Sequence, residues 1–199
     1  MNTMAKYKID LGGSDFKYLR ENKFYYIDKS LLIKEILETN SKILLIPRPR
    51  RFGKTLNLSM LRYFFDVNHP ENRQLFEGLQ IWDDEEVMQH CCRYPVIFLT
   101  FKDAKAVTWD ETFEYLKAEI YKVYQEHYYL YESQTLREFE KLRFYKILTG
   151  EGSVADYAMS IRFLSEWLHR YHGQPVVILV DEYDTPIHSG YPNYYDEVV

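Results

Sequence analysis

The sequence predicts an α/β fold with a mostly parallel sheet. Two observations carry that reading. Apolar runs of strand length stand at residues 42–46, 95–101 and 176–180, and long stretches with helical periodicity separate them. Parallel strands need crossovers and are buried on both faces, which suits runs that are continuously apolar rather than alternating.

Residues 1–22 are polar and contain Gly12-Gly13-Ser14-Asp15, a turn signal. Asp28 or Ser30 can cap a helix from about 31 to 38, whose Leu32, Ile33, Ile36 and Leu37 share one face. A strand at 42–46 follows, then a basic loop and a helix that runs to about Phe65 before His69-Pro70 breaks it. The run at 95–101 has strand length and strand composition. Helical patterns cover about 108–130, 134–148 and 154–171, and the last strand at 176–180 runs straight into Asp181-Glu182. This divides the chain into residues 1–40, an N-terminal segment and helix leading into the site, and 41–199, the core.

At 199 residues the chain suits one sizeable domain, and 46% apolar with 28% charged residues marks a globular rather than a disordered protein. A net charge of -5 gives no general attraction to nucleic acid or anionic membranes. No apolar run approaches the ~18 residues a bilayer requires, and the N-terminus has no signal-peptide core, so a cytoplasmic location without membrane attachment is expected. Cys91 and Cys92 are adjacent, which suits neither a disulfide framework nor a zinc site with His90; reduced thiols are expected.

The chemistry concentrates between residues 42 and 61, where an apolar run leads through a basic loop to Gly53-Lys54-Thr55 and a helix. That is the layout of a phosphate-binding P-loop. Backbone N–H groups and the helix N-terminus face an anion, the lysine reaches the β/γ-phosphates, and the hydroxyl holds Mg²⁺. Gly-Lys-Ser/Thr alone arises by chance in roughly one chain in ten of this length, so context carries the weight. A second element supplies it: a buried strand delivering Asp181 to the metal shell and Glu182 to an attacking water, the Walker B pattern. The usual first glycine of the loop is replaced by Arg48, flanked by Pro47 and Pro49, so the loop is expected to follow a variant path. Arg48, Arg50 and Arg51 add cations able to bind phosphate, with a solvated basic rim as the alternative. The predicted nucleotide contacts are Arg48, Arg50, Arg51, Phe52, Gly53, Lys54, Thr55 and Leu56, with Thr55 and Asp181 on the metal and Lys54 and Glu182 catalytic. Thr100 and Asp103 lie near the same sheet edge, where a strand-end cap or turn is the better account. Asp184 also reads better as a cap or surface charge. Phe24, Tyr25 and Tyr26 suit either purine stacking or the core.

With these residues in hand the chain resembles the bacterial AAA-ATPase-like family of P-loop proteins. The matching segments are 16–20, 25–30, 48–61, 76–79, 94–103 and 180–186, with Arg48-Pro-Arg-Arg-Phe-Gly-Lys-Thr55 resembling the family's own form of the loop. The resemblance implies a P-loop NTPase-type three-layer α/β/α fold with a mostly parallel sheet. It also implies that a strand belonging between the P-loop and Walker B strands lies beyond residue 199, leaving the fold incomplete at its C-terminus. In that case residues 42–46 and the Asp181 strand should flank a gap rather than pair directly, and the exposed sheet edges could drive self-association. Members are often followed by a nuclease-like domain of the PD-(D/E)XK type, the only route by which nucleic acid would become a partner. The expected function is ATP binding and Mg²⁺-dependent hydrolysis driving a conformational switch, with ATP and Mg²⁺ as cofactors. The alternative is a nucleotide-dependent binding module with little or no hydrolysis.

Overall fold

Contacts along the chain divide into two units, Met1–Tyr94 and Pro95–Val199, in a computed structural model that describes residues 8–10, 12–39, 41–47 and 52–191. The division after Tyr94 falls inside the stretch 41–199 that sequence reasoning treats as one core.

The first unit is helical. Asp15 opens α1 (Phe16–Glu21) by accepting the Tyr18 N–H at 2.7 Å, a side-chain N-cap. Helix α2 (Leu31–Glu38) buries Ile33 and half-buries Leu32, Ile36 and Leu37, the face read from the periodicity. Helix α3 (Lys54–Phe65) packs against α1 and ends where expected. Phe16, Phe64 and Phe76 meet at the centre: Phe76 lies 5.1 Å from each of the other two rings, edge-on to Phe64. Polar groups fix the two helices in register. Ser59 Oγ accepts the Phe16 N–H at 3.0 Å, and the Tyr63 hydroxyl donates to Asp15 at 2.7 Å. Short 3₁₀ turns at Pro70–Phe76 and Gln80–Asp83 and the short α4 (Glu85–Met88) close this unit. Tyr26 packs on it as well, edge-on to Phe16 at 5.3 Å, the core reading for that residue, whereas Tyr25 is exposed. The last carbonyls of α3, which no helical N–H can reach, are taken by the segment after α4. The Cys92 N–H donates to Phe64 O at 2.6 Å and the Tyr94 N–H to Phe65 O at 2.9 Å, while Val67 N–H returns a bond to Tyr94 O at 2.9 Å.

One expectation fails here. Residues 42–46 form no strand: the run carries no ladder, with Ile43 86% and Leu45 66% exposed. A strand is defined by its neighbour, and among the described residues none pairs with this run. Among the described residues it therefore pairs directly with neither β-strand of the sheet.

The second unit is built on parallel strands β1 (Val96–Thr100) and β2 (Val177–Asp181), registered from Val96 opposite Val177 to Thr100 opposite Asp181. The other two runs read as strands in the sequence are strands here. This supports the α/β class with parallel pairing; the sheet has two strands among the described residues. The crossover runs through α5 (Trp109–Glu126), the short α6 (Tyr129–Glu132), α7 (Glu138–Thr149) and α8 (Val154–His172). Thr108 caps α5, and Ser153 and Asp156 form a reciprocal capping box on α8. The helix expected over 108–130 breaks at His127. Its buried imidazole bonds Val96 O at 3.1 Å and so ties the break to the start of β1. Ile97 and Leu99 point from β1 into a core with Val123, Tyr124, Phe144, Leu164 and Trp167.

Glu140 organises the helices around that core. Its carboxylate accepts the Arg137 N–H at 2.8 Å, which caps α7, and the buried Trp167 indole N–H at 3.2 Å; the Arg170 guanidinium grips both oxygens at 2.9 Å. The Arg170 fork, working against burial, holds the Glu140 carboxyl well below its ordinary 4.5, at about 2. A carboxyl with a depressed folded value stabilises fully above the unfolded value and loses that contribution as pH falls toward the folded one. Glu140→Gln should therefore cost roughly 2 kcal/mol at neutral pH. In chemical denaturation at a series of pH values, the gap between wild type and variant should close between 4.5 and about 2.

Candidate functional site

Helix α3 begins at a position that favours glycine. Gly53 sits at its N-cap with φ +73°, in the left-handed region where a Cβ is disfavoured, and its carbonyl accepts the Asn57 N–H at 2.9 Å. Lys54 and Thr55 are thus the first two residues of a 12-residue helix, beside N–H groups that have no acceptor within the helix itself. The macrodipole and these donors favour an anion. One turn in, Asn57 is buried and its Nδ2 has no acceptor among the described residues, a costly state for an amide.

A basic side chain from another element meets this loop. A Cβ built on Gly53 would lie 3.9 Å from Lys29 Nζ, so the nearest neighbour of the cradle is an ammonium group rather than a wall. Lys29 is held by its neighbours in sequence. Asp28 accepts the Ser30 N–H at 2.8 Å and the Gln80 N–H at 2.7 Å, and Ser30 Oγ accepts the Ile81 N–H at 3.2 Å. Burial works to raise the Asp28 carboxyl, yet these donated hydrogen bonds keep it below the usual carboxylate range. Among the described residues no ion pair engages Lys29, whereas Lys34, further along, is paired with Asp84 at 2.7 Å.

In the second unit the chain leaves β2 abruptly. Asp181, 1% exposed, ends the strand beside Thr100, and Phe101 N–H donates to its carbonyl at 3.0 Å. Asp181 Oδ1 accepts the Glu182 N–H at 3.0 Å. Glu182 itself has φ +52°, a left-handed conformation that a residue with a Cβ adopts only at a cost. Its carbonyl accepts the Thr185 N–H at 3.0 Å, and Thr185 Oγ1 lies 3.4 Å from its carboxylate. Strain of this kind collects at functional positions.

Residues 10–198 match the family described as AAA-ATPase-like, "Predicted AAA-ATPase". The chain belongs to the AAA-ATPase-like family. It is also 32% identical over 185 residues to an uncharacterized protein in the vnfD 5' region of Azotobacter chroococcum mcd 1. That match covers 92% of this chain but only 30% of the relative's length. No solved structure matches the chain.

Of the site residues expected for an AAA-ATPase-like chain, Gly53, Lys54, Thr55 and Leu56 share the first turn of α3, with Phe52 exposed just before it. Arg48, Arg50 and Arg51 lie outside the described residues. Asp181 and Glu182 share the end of β2. Thr100 proves to be the register partner of Asp181, and its N–H is capped by Glu119 at 3.0 Å. Asp184 precedes α9 (Thr185–Gly190) and pairs with His188 at 3.4 Å, in keeping with a cap or surface charge. The hydroxyl of Thr55 and the carboxylate of Asp181 are each hard oxygen donors of the kind Mg²⁺ takes. Sequence reasoning missed Lys29, although the segment 25–30 that contains it is one of those carrying the family resemblance. No helix among the described residues is long and apolar enough to cross a membrane.

The strain at Glu182 has a measurable sign. Glu182→Gly removes the Cβ and should leave stability unchanged or raise it by up to about 1 kcal/mol, left-handed relief outweighing the entropy of the added glycine. Glu182→Ala keeps the Cβ and should not gain. Denaturant midpoints of the two variants test this; a glycine variant less stable than the alanine variant would contradict it.

Proposed function

We propose that this protein binds ATP with Mg²⁺ and hydrolyses it, using the change to drive a conformational switch. The observation that carries this reading is Gly53 in the left-handed region, opening α3 so that Lys54 and Thr55 stand at its N-terminus. Family membership and the strained Asp181-Glu182 turn support it.

In this proposal the N–H groups of the first turn of α3 and the Lys54 ammonium bind the β- and γ-phosphate oxygens and neutralise their charge. Lys29 adds a second cation beside the loop, doing part of what the basic residues 48, 50 and 51 are expected to do. Thr55 and Asp181 would hold Mg²⁺, which when bound spreads the charge developing on the transferred phosphoryl group. Glu182 would orient the attacking water and accept its proton, with Thr185 holding the carboxylate between turnovers.

A second reading, a nucleotide-dependent binding module with little hydrolysis, is favoured by one observation. Residues 42–46 carry no ladder, so nothing among the described residues braces the chain that leads into the loop. Any action on nucleic acid would belong to a further domain of a longer protein.

Two variants separate these readings. Lys54→Ala should weaken ATP binding roughly 10–100-fold, the worth of charge-assisted hydrogen bonds. Glu182→Gln should keep binding within about twofold and lower kcat by about 10²–10⁴-fold, since the glutamate matters only when water attacks. Calorimetric titration with ATP and Mg²⁺ and a phosphate-release assay provide the readouts. Wild-type turnover no faster than that of Glu182→Gln, with binding intact, would select the binding module. In the same titrations Lys29→Ala should weaken binding about tenfold while leaving kcat unchanged.

A further inference from the structure

Away from the nucleotide half-sites, the first unit holds two thiols in contact. Cys91 Sγ and Cys92 Sγ lie 3.6 Å apart. Cys91 is buried at 5% exposure, while Cys92 is partly exposed to solvent. Cys92 has φ +57°, another left-handed position occupied by a residue with a Cβ. It is this turn that sets two neighbouring side chains beside each other. Cys92 Sγ also faces the carbonyls of His69 and Pro70 at 3.6 and 3.9 Å. Among the described residues no group of three metal-ligating side chains forms, so the pair is not part of a metal cage.

We propose that Cys91 and Cys92 form a thiol redox site that reacts with hydroperoxides, Cys92 as the nucleophile and Cys91 as the resolving thiol. The exposed sulfur of Cys92 attacks a peroxide oxygen. An S–O bond forms, the O–O bond breaks, and the thiol proton leaves with the departing oxygen as an alcohol or water. Cys92 is then a sulfenic acid. Cys91, already in contact, attacks that sulfur: the S–S bond forms, the S–O bond breaks, and water leaves with the Cys91 proton. The two thiols lose two electrons between them and the hydroperoxide gains them. A dithiol reverses the change by exchange.

Electrostatics assign the two roles in the same order. The contact with Cys91 holds the Cys92 thiol below its ordinary value against burial and the Asp66 charge, with Arg73 assisting, and the same contact together with burial pushes the Cys91 thiol up. Thiolate character therefore sits on the accessible sulfur, where reactivity requires it. Closing the bond takes the sulfurs from 3.6 Å to about 2.05 Å. Adjacent Cα atoms are about 3.8 Å apart, closer than disulfides usually bridge, so the bond is strained and easily reduced. That is the property of a reversible switch rather than a structural staple. Its position gives it a target: the Cys92 N–H caps Phe64 at the C-terminal end of α3, the helix that starts with Lys54.

The test is oxidation of the reduced full chain with equimolar hydrogen peroxide, followed by alkylation and intact mass measurement. The expected product is monomeric, lacks both alkylatable thiols, weighs two hydrogens less, and is restored by dithiothreitol. Cys91→Ser should stop at a sulfenic acid on Cys92 that dimedone traps, and Cys92→Ser should consume peroxide about tenfold more slowly. The wild-type measurement needs no variant to fold. Unchanged alkylation of both thiols, disulfide-linked dimers in place of the monomer, or dimedone trapping on Cys91 at the wild-type rate would overturn the proposal.

Discussion

Parallel pairing between β1 and β2 is the constraint on which the second unit depends. Parallel neighbours cannot be joined by a tight turn, so the chain leaving Thr100 must quit the sheet, cross it and return before Val177. Helices α5 to α8 are that detour. Their inward side chains, Tyr124, Phe144 and Trp167 among them, bury the β1 face that Ile97 and Leu99 present. The register that follows sets Asp181 opposite Thr100 at the carboxyl edge, where ligands of α/β sheets bind. Glu140 secures the arrangement by tying the start of α7 to Trp167 and Arg170 of α8.

What could be read in the sequence was local. The 3.6-residue pattern of α2, the stop after Phe65 and the composition of β1 and β2 all act over a few residues, and the structure agrees with each. What could not be read was set by partners distant in the chain. Residues 42–46 have the composition of a strand, but composition does not supply a neighbour. The approach of Lys29 to Gly53 spans a helix and a loop. The left-handed backbone at Glu182 was invisible for another reason: glycine advertises a positive φ, whereas glutamate does not. The Lys54-Thr55 and Asp181-Glu182 pairs stand out in the sequence because phosphate and metal chemistry, where it operates, restricts residue type at fixed spacing; the structure puts one pair at the start of α3 and the other at the end of β2.

The three non-glycine residues with positive φ are Lys23, Cys92 and Glu182 among the described residues. Two of them carry the reactive groups discussed above, one a thiol and the other a carboxylate. In both cases the unfavourable backbone is held from outside by hydrogen bonds: Phe64 O on the Cys92 N–H, and Asp181 Oδ1 on the Glu182 N–H. Stability is given up locally and recovered from neighbours, the usual relation between a positioned reactive group and its scaffold.

The exposed run between α2 and α3 has a further consequence, for the lifetime of the chain. Exposed chain outside any helix or ladder is where proteolytic nicking concentrates, and Leu44 and Leu45 are side chains suited to pockets for large apolar groups. Quality-control proteases that search for exposed apolar segments would find residues 42–46 without waiting for global unfolding. Turnover of this protein would then follow whatever covers that run rather than the stability of either unit.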